Sequence, residues 1–296
     1  MRTCVIFNPS AKGQKAERFR ALLTEISSGC SLKQTSTAGD ARRLASQAVR
    51  EGFETVIAAG GDGTLNEVLN GIGDVEDGFT RARLGILPLG TVNVFARELG
   101  VPTKPKDAWK MLQRANEKRI DLPFIESGDG DDRKRFYFAQ LAGAGLDARA
   151  IELVNWSLKK KIGALAYIEA GTKALDEDQS SILVSNGVNS ASGELVLVGN
   201  GRLYGGDFRL FPDAKLDDGK LHICVFPKAD WPTLFKCGFP LVFAGTLPES
   251  AVIRMSGSSF TLIGQPRTRF QVDGELGGPL PVRLRILPSA LRVLCP

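Results

Sequence analysis

A glycine-rich turn with one carboxylate at its centre is the first feature of the sequence that could do chemistry. Small and β-branched residues from Val56 lead into the sequence GGDGT (60–64), and a helix-like segment follows. Glycines let backbone N–H groups approach a phosphate closely, and a helix beginning at Leu65 would add its positive amino end. Asp62 would repel that phosphate unless a cation such as Mg²⁺ intervenes or the carboxylate handles a proton. The turn has neither the Gly-Lys-Ser/Thr ending of a Walker A loop nor the GxGxxG spacing of a dinucleotide site.

Two further polar loops are expected at the same edge of a sheet as this turn. The loop FNPSAKG (7–13) offers the Asn8 side chain and the Lys12 ammonium group, and LPLGTVNVFARELG (87–100) offers Thr91 and Asn93 near a helix start. Each follows a predicted strand, and ligands of parallel sheets bind beyond the carboxyl ends of strands. Asn8 and Asn93 could each serve only as a cap or turn residue. Three such loops together favour a binding site.

Strands and helices alternate up to Pro123, and this alternation must position the loops. The predicted strands are Thr3–Phe7, Leu32–Thr35, Thr55–Ala59 and Leu84–Pro88, and the predicted helices are Lys15–Ile26, Gly39–Arg50, Leu65–Asn70, Val92–Leu99 and Asp107–Ala115. The pattern predicts a parallel α/β sheet. We therefore assign residues 1–123 to an α/β domain.

The pattern changes after Pro123 to short apolar runs that are bounded by Gly, Pro or Asp. The predicted strands are Phe136–Leu141, Ile182–Ser185, Leu195–Val198, Leu221–Phe226, Ala251–Met255, Ser259–Ile263, Thr268–Val272, Val282–Leu287 and Leu291–Leu294. Helical segments are predicted at Leu153–Leu175 and Trp231–Phe243. Residues 124–296 are thus expected to form a mostly β domain.

Composition excludes several classes of protein. The five cysteines are odd in number and lack metal-ligand spacing, which favours a reduced, cytoplasmic setting. The start MRTCVIF has too short an apolar run for a signal peptide, and no stretch reaches the ~18 apolar residues of a spanning helix. We expect a soluble protein. A net charge of +5 permits an anionic partner without selecting one, and we expect no nucleic-acid partner.

The order and spacing of several motifs resemble the diacylglycerol-kinase catalytic-domain family. That family includes soluble bacterial lipid kinases and, more distantly, sphingosine and ceramide kinases. The resemblance is carried by Asn8-Pro9, TSTAGDARRLA (35–45), GGDGTLNEVLNG (60–71), PLGTVNVFAREL (88–99), GNGRLYGGDFRLFPDAKLDDGKL (199–221), VDGE (272–275) and ILPSALRVLCP (286–296). It implies an NAD-kinase- and phosphofructokinase-like α/β kinase domain that binds the nucleotide (1–123), a sandwich-like β domain that binds the lipid (124–296), and an active site in the cleft between them.

The same resemblance implies a role for particular residues. ATP phosphates would bind at Asn8, Pro9, Ser10, Ala11, Lys12, Gly61, Asp62, Gly63, Thr64, Leu65, Asn66 and Glu67, with Thr35 and Thr91 also contacting the nucleotide. Glu275 would be the general base that deprotonates a lipid hydroxyl, whereas Asp62 would bind Mg²⁺ or act as the base. Asp218, with the backbone carbonyls of Lys215 and Lys220, would hold a structural Mg²⁺ ion. From the residues alone, VDGE could simply be the turn of a β-hairpin, and Asp218 could belong to a solvated turn.

Two apolar segments could bring such an enzyme to a membrane. Asn155–Leu175 combines Trp156 with a lysine cluster (159–161), and Trp231–Phe243 adds a second apolar patch with one lysine. Mixtures of basic, aromatic and apolar residues bind anionic membrane surfaces. The alternative is that both segments are core-facing helices, which is the commoner use of an amphipathic helix.

We therefore expect a cytoplasmic lipid kinase that uses ATP and Mg²⁺ and visits the membrane transiently. Its acceptor would be a lipid alcohol, such as diacylglycerol, phosphatidylglycerol or a sphingoid base, and a homodimer is possible. An NAD kinase is the nearest alternative because it shares the GGDGT turn. A catalytically inactive lipid or nucleotide sensor is the other alternative. His222, the single histidine, is explained by strand alternation better than by catalysis.

Overall fold

The chain folds into two compact units. The computed structural model describes residues 2–9, 22, 25–26, 28–128, 130–154 and 165–296. Unit 1 comprises Met1–Asp121 together with Ser289–Pro296, and unit 2 comprises Leu122–Pro288. The division lies two residues before the expected one at Pro123. It also assigns the C-terminal segment, which we expected in the second domain, to unit 1.

Unit 1 is built on a parallel sheet, as the alternating pattern predicted. Its strands are β1 (Thr3–Phe7), β2 (Ser31–Gln34), β3 (Thr55–Gly60), β4 (Arg83–Pro88) and the last residues of β18 (Val282–Cys295). They pair in the order β2-β1-β3-β4-β18, all in parallel. The described helices are α1 (Asp40–Arg50), α2 (Asp62–Gly73), α3 (Gly78–Arg81), α4 (Val94–Glu98) and α5 (Pro105–Arg114).

The strand order reverses between β1 and β3, because β2 lies on one side of β1 and β3 on the other. In an open parallel sheet this switch point leaves a crevice beyond the carboxyl ends of the two strands. The Asn8 loop and the glycine turn follow those two strands. The topology therefore brings together two of the three loops that we expected to share an edge.

Apolar periodicity explains the helices of unit 1. In α1 the residues at helical spacing are buried, namely Ala41, Leu44, Ala45, Ala48 and Val49. Helix α2 begins at Asp62, three residues before the predicted start at Leu65. Asp and Gly have low propensity in a helix interior but are tolerated in its first turn, which explains the difference. The helix predicted at Lys15–Ile26 lies outside the described residues except for Leu22, Glu25 and Ile26.

Unit 2 is a sandwich of two mainly antiparallel sheets, which confirms the expected β domain. One sheet has the order β14 (Ile253–Gly257), β13 (Leu221–Phe226), β10 (Leu195–Gly199), β7 (Leu141–Gly145), β16 (Arg269–Val272) and β17 (Glu275–Pro279). The other contains β18, β15 (Ser259–Ile263), β8 (Ile182–Ser185) and β9 (Ser190–Gly193), with β5 (Asn116–Ser127) and β6 (Lys134–Tyr137) alongside. A shared core is buried between them, to which Val196 and Ile223 contribute from the first sheet and Val184, Phe260 and Leu284 from the second. Alternate residues of each strand point into this core.

The strands of unit 2 are β6 (Lys134–Tyr137), β7 (Leu141–Gly145), β8 (Ile182–Ser185), β9 (Ser190–Gly193), β10 (Leu195–Gly199), β11 (Leu203–Tyr204), β12 (Phe208–Arg209), β13 (Leu221–Phe226), β14 (Ile253–Gly257), β15 (Ser259–Ile263), β16 (Arg269–Val272) and β17 (Glu275–Pro279). Two long strands, β5 (Asn116–Ser127) and β18, have residues in both units. The described helices are α6 (Leu146–Leu153), α7 (Leu165–Leu175) and α8 (Trp231–Ala244).

The predicted helical segment Leu153–Leu175 is only partly described. Helix α6 ends at Leu153 and α7 begins at Leu165. Trp156 and the lysine cluster (159–161) fall outside the described residues. Among the helices that the structure describes, none combines the length and the apolar character needed to span a bilayer.

Candidate active site

The glycine turn presents the amino end of α2 at the switch point of the unit 1 sheet. Gly61, with φ −94° and ψ −170°, is the extended N-cap residue, and Asp62 is the first helical residue. The Leu65 N–H bonds back to the Gly61 carbonyl at 3.0 Å. The amides of Gly63 and Thr64 therefore precede the first bond within the helix. Such amides, together with the helix dipole, favour a phosphate.

The Asn8 side chain joins the first loop to the glycine turn. Its amide nitrogen Nδ2 donates to Thr64 Oγ1 at 3.0 Å, and the Asn8 N–H donates to the Ala59 carbonyl at 3.0 Å. Thr64 is buried, and Thr35 is buried on the other side of β1, where its N–H donates to the Phe7 carbonyl at 2.9 Å. Asn8 thus contacts Thr64 directly, and Thr35 is bonded to the residue before Asn8. Their predicted contacts with a nucleotide stay predictions.

The structure describes only the start of the first loop. Pro9 is described directly after Asn8, but Ser10, Ala11 and Lys12 lie outside the described residues. Their predicted contacts with a nucleotide remain predictions.

Asp62 fastens the third loop to the glycine turn. Its carboxylate accepts the Asn93 N–H at 2.9 Å with one oxygen and the Val94 N–H at 2.8 Å with the other. Val94 is the first residue of α4, so Asp62 caps that helix from outside. Two charge-assisted bonds to backbone amides hold a loop firmly and stabilise the ionised carboxylate.

Asn93 and Gly90 complete the join. Asn93 adopts a left-handed conformation with φ 55°, and its side chain accepts the Gly90 N–H at 3.1 Å and donates to the Gly90 carbonyl at 2.7 Å. Gly90 lies against Gly61, where a Cβ atom on Gly90 would come within 2.5 Å of the Gly61 Cα. Only glycine allows this approach. Thr91, which was predicted to contact nucleotide, is exposed in the same loop.

The other three residues of α2 that were predicted to bind nucleotide make contacts within unit 1. Glu67 accepts the N–H groups of Gly39 and Ala41, each at 2.9 Å, and so caps α1. Asn66 is buried and accepts hydrogen bonds from the Asn70 side chain, and Leu65 is buried in the core. These interactions give the three residues structural roles. Their predicted contact with nucleotide stays a prediction.

The segment between Thr35 and α1 is also fixed by a carboxylate. Asp40 accepts the N–H groups of Ser36 and Thr37 at 2.8 and 3.0 Å. These two bonds, with a contribution from Arg43, lower the pKa of Asp40 to about 2. The backbone that leaves β2 is therefore held on both sides of Thr35.

Glu275 lies at a tight hairpin between β16 and β17 in unit 2. Asp273 (φ 47°) and Gly274 (φ 87°) form the two-residue turn, with both φ angles positive as a type I′ turn requires. The Asp273 carboxylate accepts the N–H groups of Ala139, Gln140 and Leu141 at 2.7, 3.1 and 3.0 Å. Glu275 is exposed at the start of β17. A side chain with an ionisable group is thus presented on a rigid turn.

A buried hydrogen-bond chain supports the hairpin from below. Gly274 donates to Gln271 Oε1 at 2.8 Å, Gln271 donates to Asp147 at 2.6 Å, and Tyr204 donates to the other Asp147 oxygen. Burial raises the pKa of Asp147 despite these two hydrogen bonds. Burial and the neighbouring Asp147 carboxylate raise the pKa of Tyr204.

Sequence reasoning missed both supports of the hairpin. Asp273 was visible only as an Asp-Gly turn signal, and the sequence does not reveal which distant amides its carboxylate meets. Asp147, Gln271 and Tyr204 are far apart in the chain and carry no motif. The one signal in the sequence is the position of Asp147, an acidic residue that lies two residues after the buried strand β7.

The residues of the predicted structural magnesium site form a hydrogen-bonded loop. Asp218 accepts the N–H groups of Lys215 and Lys220 at 3.2 and 2.9 Å, and its Oδ2 lies 2.9 Å from Nε2 of His222. The Lys215 carbonyl in turn accepts the Asp218 N–H. Within the described residues no group of three or more His, Cys, Asp or Glu side chains could hold a metal, but the predicted site consists of one carboxylate and two backbone carbonyls. The magnesium site at Asp218, Lys215 and Lys220 therefore stays a prediction.

Two family models together cover nearly the whole chain. Residues 2–125 match the diacylglycerol kinase catalytic domain, and residues 140–295 match the YegS C-terminal NAD kinase beta sandwich-like domain. The match of the second model to the β sandwich agrees with the two packed sheets of unit 2.

Known proteins give the same result. A protein from Xanthomonas oryzae pv. oryzae (strain MAFF 311018), named "Probable lipid kinase YegS-like", is 33% identical over 87% of this chain and 84% of its own length. In fold, the chain is similar to a structure described as a "putative diacylglycerol kinase" from Bacillus anthracis str. Sterne, with a TM-score of 0.80, 22% identity and coverage of 100% and 95% of the two chains. A yeast NADH kinase complexed with NADH is more distant, with a TM-score of 0.55, 10% identity and coverage of 100% and 84%. The resemblance to the diacylglycerol-kinase family is confirmed, and the chain belongs to the YegS-like lipid kinases, phosphotransferases that act on an alcohol group.

Proposed function

We propose that this protein transfers the γ-phosphate of ATP, supplied as its magnesium complex, to the hydroxyl group of a membrane lipid. The observation that carries the proposal is the connected cradle in unit 1. There, three strand-end loops are joined around the amino end of α2 by the Asn8–Thr64 and Asp62–Asn93 hydrogen bonds. Such a cradle suits phosphoryl transfer, which depends on positioning and charge neutralisation more than on covalent chemistry.

In the proposed reaction the backbone amides of Gly63 and Thr64 bind phosphate oxygens of the nucleotide. Asn8 would orient the first loop toward the same phosphates. Mg²⁺ would arrive with ATP and neutralise charge on the phosphates. We assign Asp62 to positioning, since its two oxygens accept amide N–H groups, and not to proton transfer or to metal binding.

Glu275 is the residue that we propose as general base. A carboxylate is a sufficient base for an alcohol, and the single histidine of the chain is hydrogen-bonded to Asp218. The rigid type I′ turn and the three amides bound by Asp273 would hold Glu275 in a fixed orientation. Glu275 takes the proton of the lipid hydroxyl. The hydroxyl oxygen then attacks the γ-phosphorus in line with the leaving oxygen of ADP.

The acceptor class is a lipid alcohol, and the enzyme would act in the cytoplasm. The relatives that match over most of the chain carry lipid-kinase names, and this supports a lipid over a nicotinamide nucleotide. An NAD kinase remains the alternative that the sandwich and the GGDGT turn would allow. A catalytically inactive sensor is the other alternative. Its weakness is that Asp62 and Glu275 are both present.

The test is transfer of labelled γ-phosphate from ATP and Mg²⁺ to a set of lipid alcohols in mixed micelles, with NAD as a parallel acceptor. The set contains diacylglycerol, phosphatidylglycerol and a sphingoid base. A labelled lipid that is absent with Glu275→Gln supports the proposal and identifies the acceptor. Labelled NADP contradicts the proposal and favours the NAD kinase alternative. Nucleotide binding without transfer to any acceptor contradicts it as well and favours the inactive sensor.

A further inference from the structure

An aromatic ridge on α8 is the least expected surface of unit 2. Trp231, Phe235, Phe239 and Phe243 follow one another at intervals of four residues, so they lie along one side of the helix. The three phenylalanines are 73%, 68% and 74% exposed. We call these four side chains the aromatic ridge.

The opposite side of α8 is apolar as well. Cys237 is buried, and Leu241 packs with it against the core cluster that contains Phe211 and Phe226. A helix that is apolar on both sides is normally enclosed by protein or by lipid. Isolated exposed apolar residues are common, but a row of exposed aromatic residues of this kind marks an interaction site.

Ring contacts join the residues of the ridge in two pairs. Trp231 and Phe235 have ring centroids 6.0 Å apart, and Phe239 and Phe243 have centroids 4.4 Å apart. The strand β12, which packs beside α8, exposes a further ring, that of Phe208.

The helix that carries the ridge has no negative side chain of its own. The sequence of α8 contains no acidic residue, and Lys236 is its one charged side chain. On the adjacent hairpin Arg209 is exposed, as is Asp207. The acidic residues at the ends of the helix have partners or lie beyond it: Asp230 is the N-cap, Asp176 accepts the Trp231 indole N–H at 3.1 Å, and Glu249 follows the last turn.

We propose that the aromatic ridge is the surface by which this protein docks on a lipid bilayer, with α8 lying in the plane of the membrane. The inference rests on the proposed function, since an enzyme whose acceptor is a membrane lipid must contact the bilayer. Aromatic residues favour the interface between head groups and acyl chains. With 14 residues, α8 is about 21 Å long, too short for a hydrocarbon core of about 30 Å.

The experiment measures binding of the full chain to two kinds of vesicle, one of phosphatidylcholine mixed with phosphatidylglycerol and one of phosphatidylcholine alone. The variants are Phe235→Ser, Phe239→Ser and the pair together. The matched control is Val188→Ser, which removes an apolar side chain that is 89% exposed on another part of unit 2. Thermal melting of each variant verifies that it is folded.

Each phenylalanine substitution is expected to weaken vesicle binding roughly tenfold, and the pair about a hundredfold, because a phenylalanine ring loses its apolar burial. Val188→Ser should bind as the wild type does. Binding should be tighter to the vesicles that contain phosphatidylglycerol, because Lys236 and Arg209 lie beside the ridge. An unchanged affinity of the pair variant would overturn the inference.

Activity on a short-chain lipid alcohol, dissolved as monomers, separates this inference from the proposed function. The pair variant should phosphorylate the dissolved lipid at the wild-type rate and lose activity on vesicles. A wild-type protein that phosphorylates the dissolved lipid but binds neither vesicle would refute docking and leave the kinase assignment intact. A wild-type dimer that the pair variant converts to monomers, without vesicle binding, would assign the ridge to contact with a second copy and also refute docking.

Discussion

The Asp62 carboxylate and the Asn93 backbone amide are hydrogen-bonded at 2.9 Å, across 31 residues of sequence. The adjacent Val94 amide bonds to the second oxygen of the same carboxylate. One acidic side chain therefore connects the loop after β3 to the loop after β4. Two backbone amides bind its charge, which supports the positioning role that we propose for it in place of the metal binding or proton transfer suggested by its place in the GGDGT turn.

Replacing Asp62 by Asn should loosen this connection. The amide retains one oxygen but presents an NH₂ group to the other backbone N–H. We expect a fall of about 1.5–3 kcal/mol in the free energy of unfolding, since the lost bond is charge-assisted. Nucleotide affinity should fall as well, because the cradle loses its fixed shape. Calorimetric titration with ATP and thermal melting measure the two effects. A variant with wild-type stability and ATP affinity that has lost only turnover would instead assign Asp62 to the chemical step.

Replacing Glu67 by Gln should affect stability more than catalysis. Glu67 binds the Gly39 and Ala41 amides at the start of α1, and a lost helix cap costs about 1 kcal/mol. The Michaelis constant for ATP should stay close to that of the wild type. Melting temperature and steady-state kinetics on the same preparation give the comparison. A large increase in the Michaelis constant without loss of stability would support the nucleotide contact that the family resemblance implies.

Glu275→Gln should abolish turnover and leave nucleotide binding intact. General-base catalysis contributes about 10²–10⁴-fold to the rate. Because Glu275 is exposed, we expect the variant to fold as the wild type does. The measurements are kcat on a lipid alcohol and the Kd for ATP. Glu249→Gln, which changes another exposed carboxylate of unit 2, is the matched control and should retain activity. Wild-type turnover by Glu275→Gln would remove it from the mechanism.

Asp147 should make stability decrease as pH rises. Burial raises its pKa in the folded protein above the unfolded value, so the stability that it contributes is complete below the unfolded pKa, near 3.8. That contribution is lost as pH rises through the folded pKa. The unfolding free energy of the wild type relative to Asp147→Asn should fall with pH in this window, by at most about 1.4 kcal/mol per pH unit. Denaturant titrations of both proteins at a series of pH values measure this difference. A constant difference would show that Asp147 is not desolvated.

The Asp218 loop should not depend on a divalent cation. Asp218 accepts two backbone amides and lies beside His222, so Mg²⁺ without nucleotide should shift the melting temperature of the wild type no more than that of Asp218→Asn. The His222→Ala protein should melt at a lower temperature than the wild type, because a partner of a half-buried carboxylate is lost. If Mg²⁺ raises the melting temperature of the wild type and Asp218→Asn abolishes that rise, Asp218 binds the cation as the family resemblance implies.

Much of the fold could be predicted from local patterns. Strands such as β3, whose six residues are all buried, and helices such as α1, with one apolar face, carry strong sequence signals. Strands β9 (SASG) and β17 (ELGGP) were not predicted. They are rich in Ser and Gly, which have low β-propensity, and their pairing with neighbours β8 and β16 defines them.

The candidate site was predictable in position but not in detail. The three loops follow strands, and parallel topology alone brings them to one edge. What Asp62, Glu67 and Asp273 do depends on which backbone amides lie opposite them, and those amides belong to segments distant in sequence. A motif identifies the residue type that is needed, whereas the hydrogen-bond partner emerges only from the tertiary structure.

The long strand β18 has a consequence for the order in which the molecule can be assembled during translation. Its final residues pair with β4 of unit 1, where Leu291 and Val293 are buried, yet they are synthesised after all of unit 2. While unit 2 is being translated, the edge of strand β4 has no partner strand. An unpaired apolar strand edge promotes pairing with other molecules. A fragment ending at Asp121 would keep that edge permanently. Nucleotide-binding competence is thus expected late in synthesis, once both units have emerged.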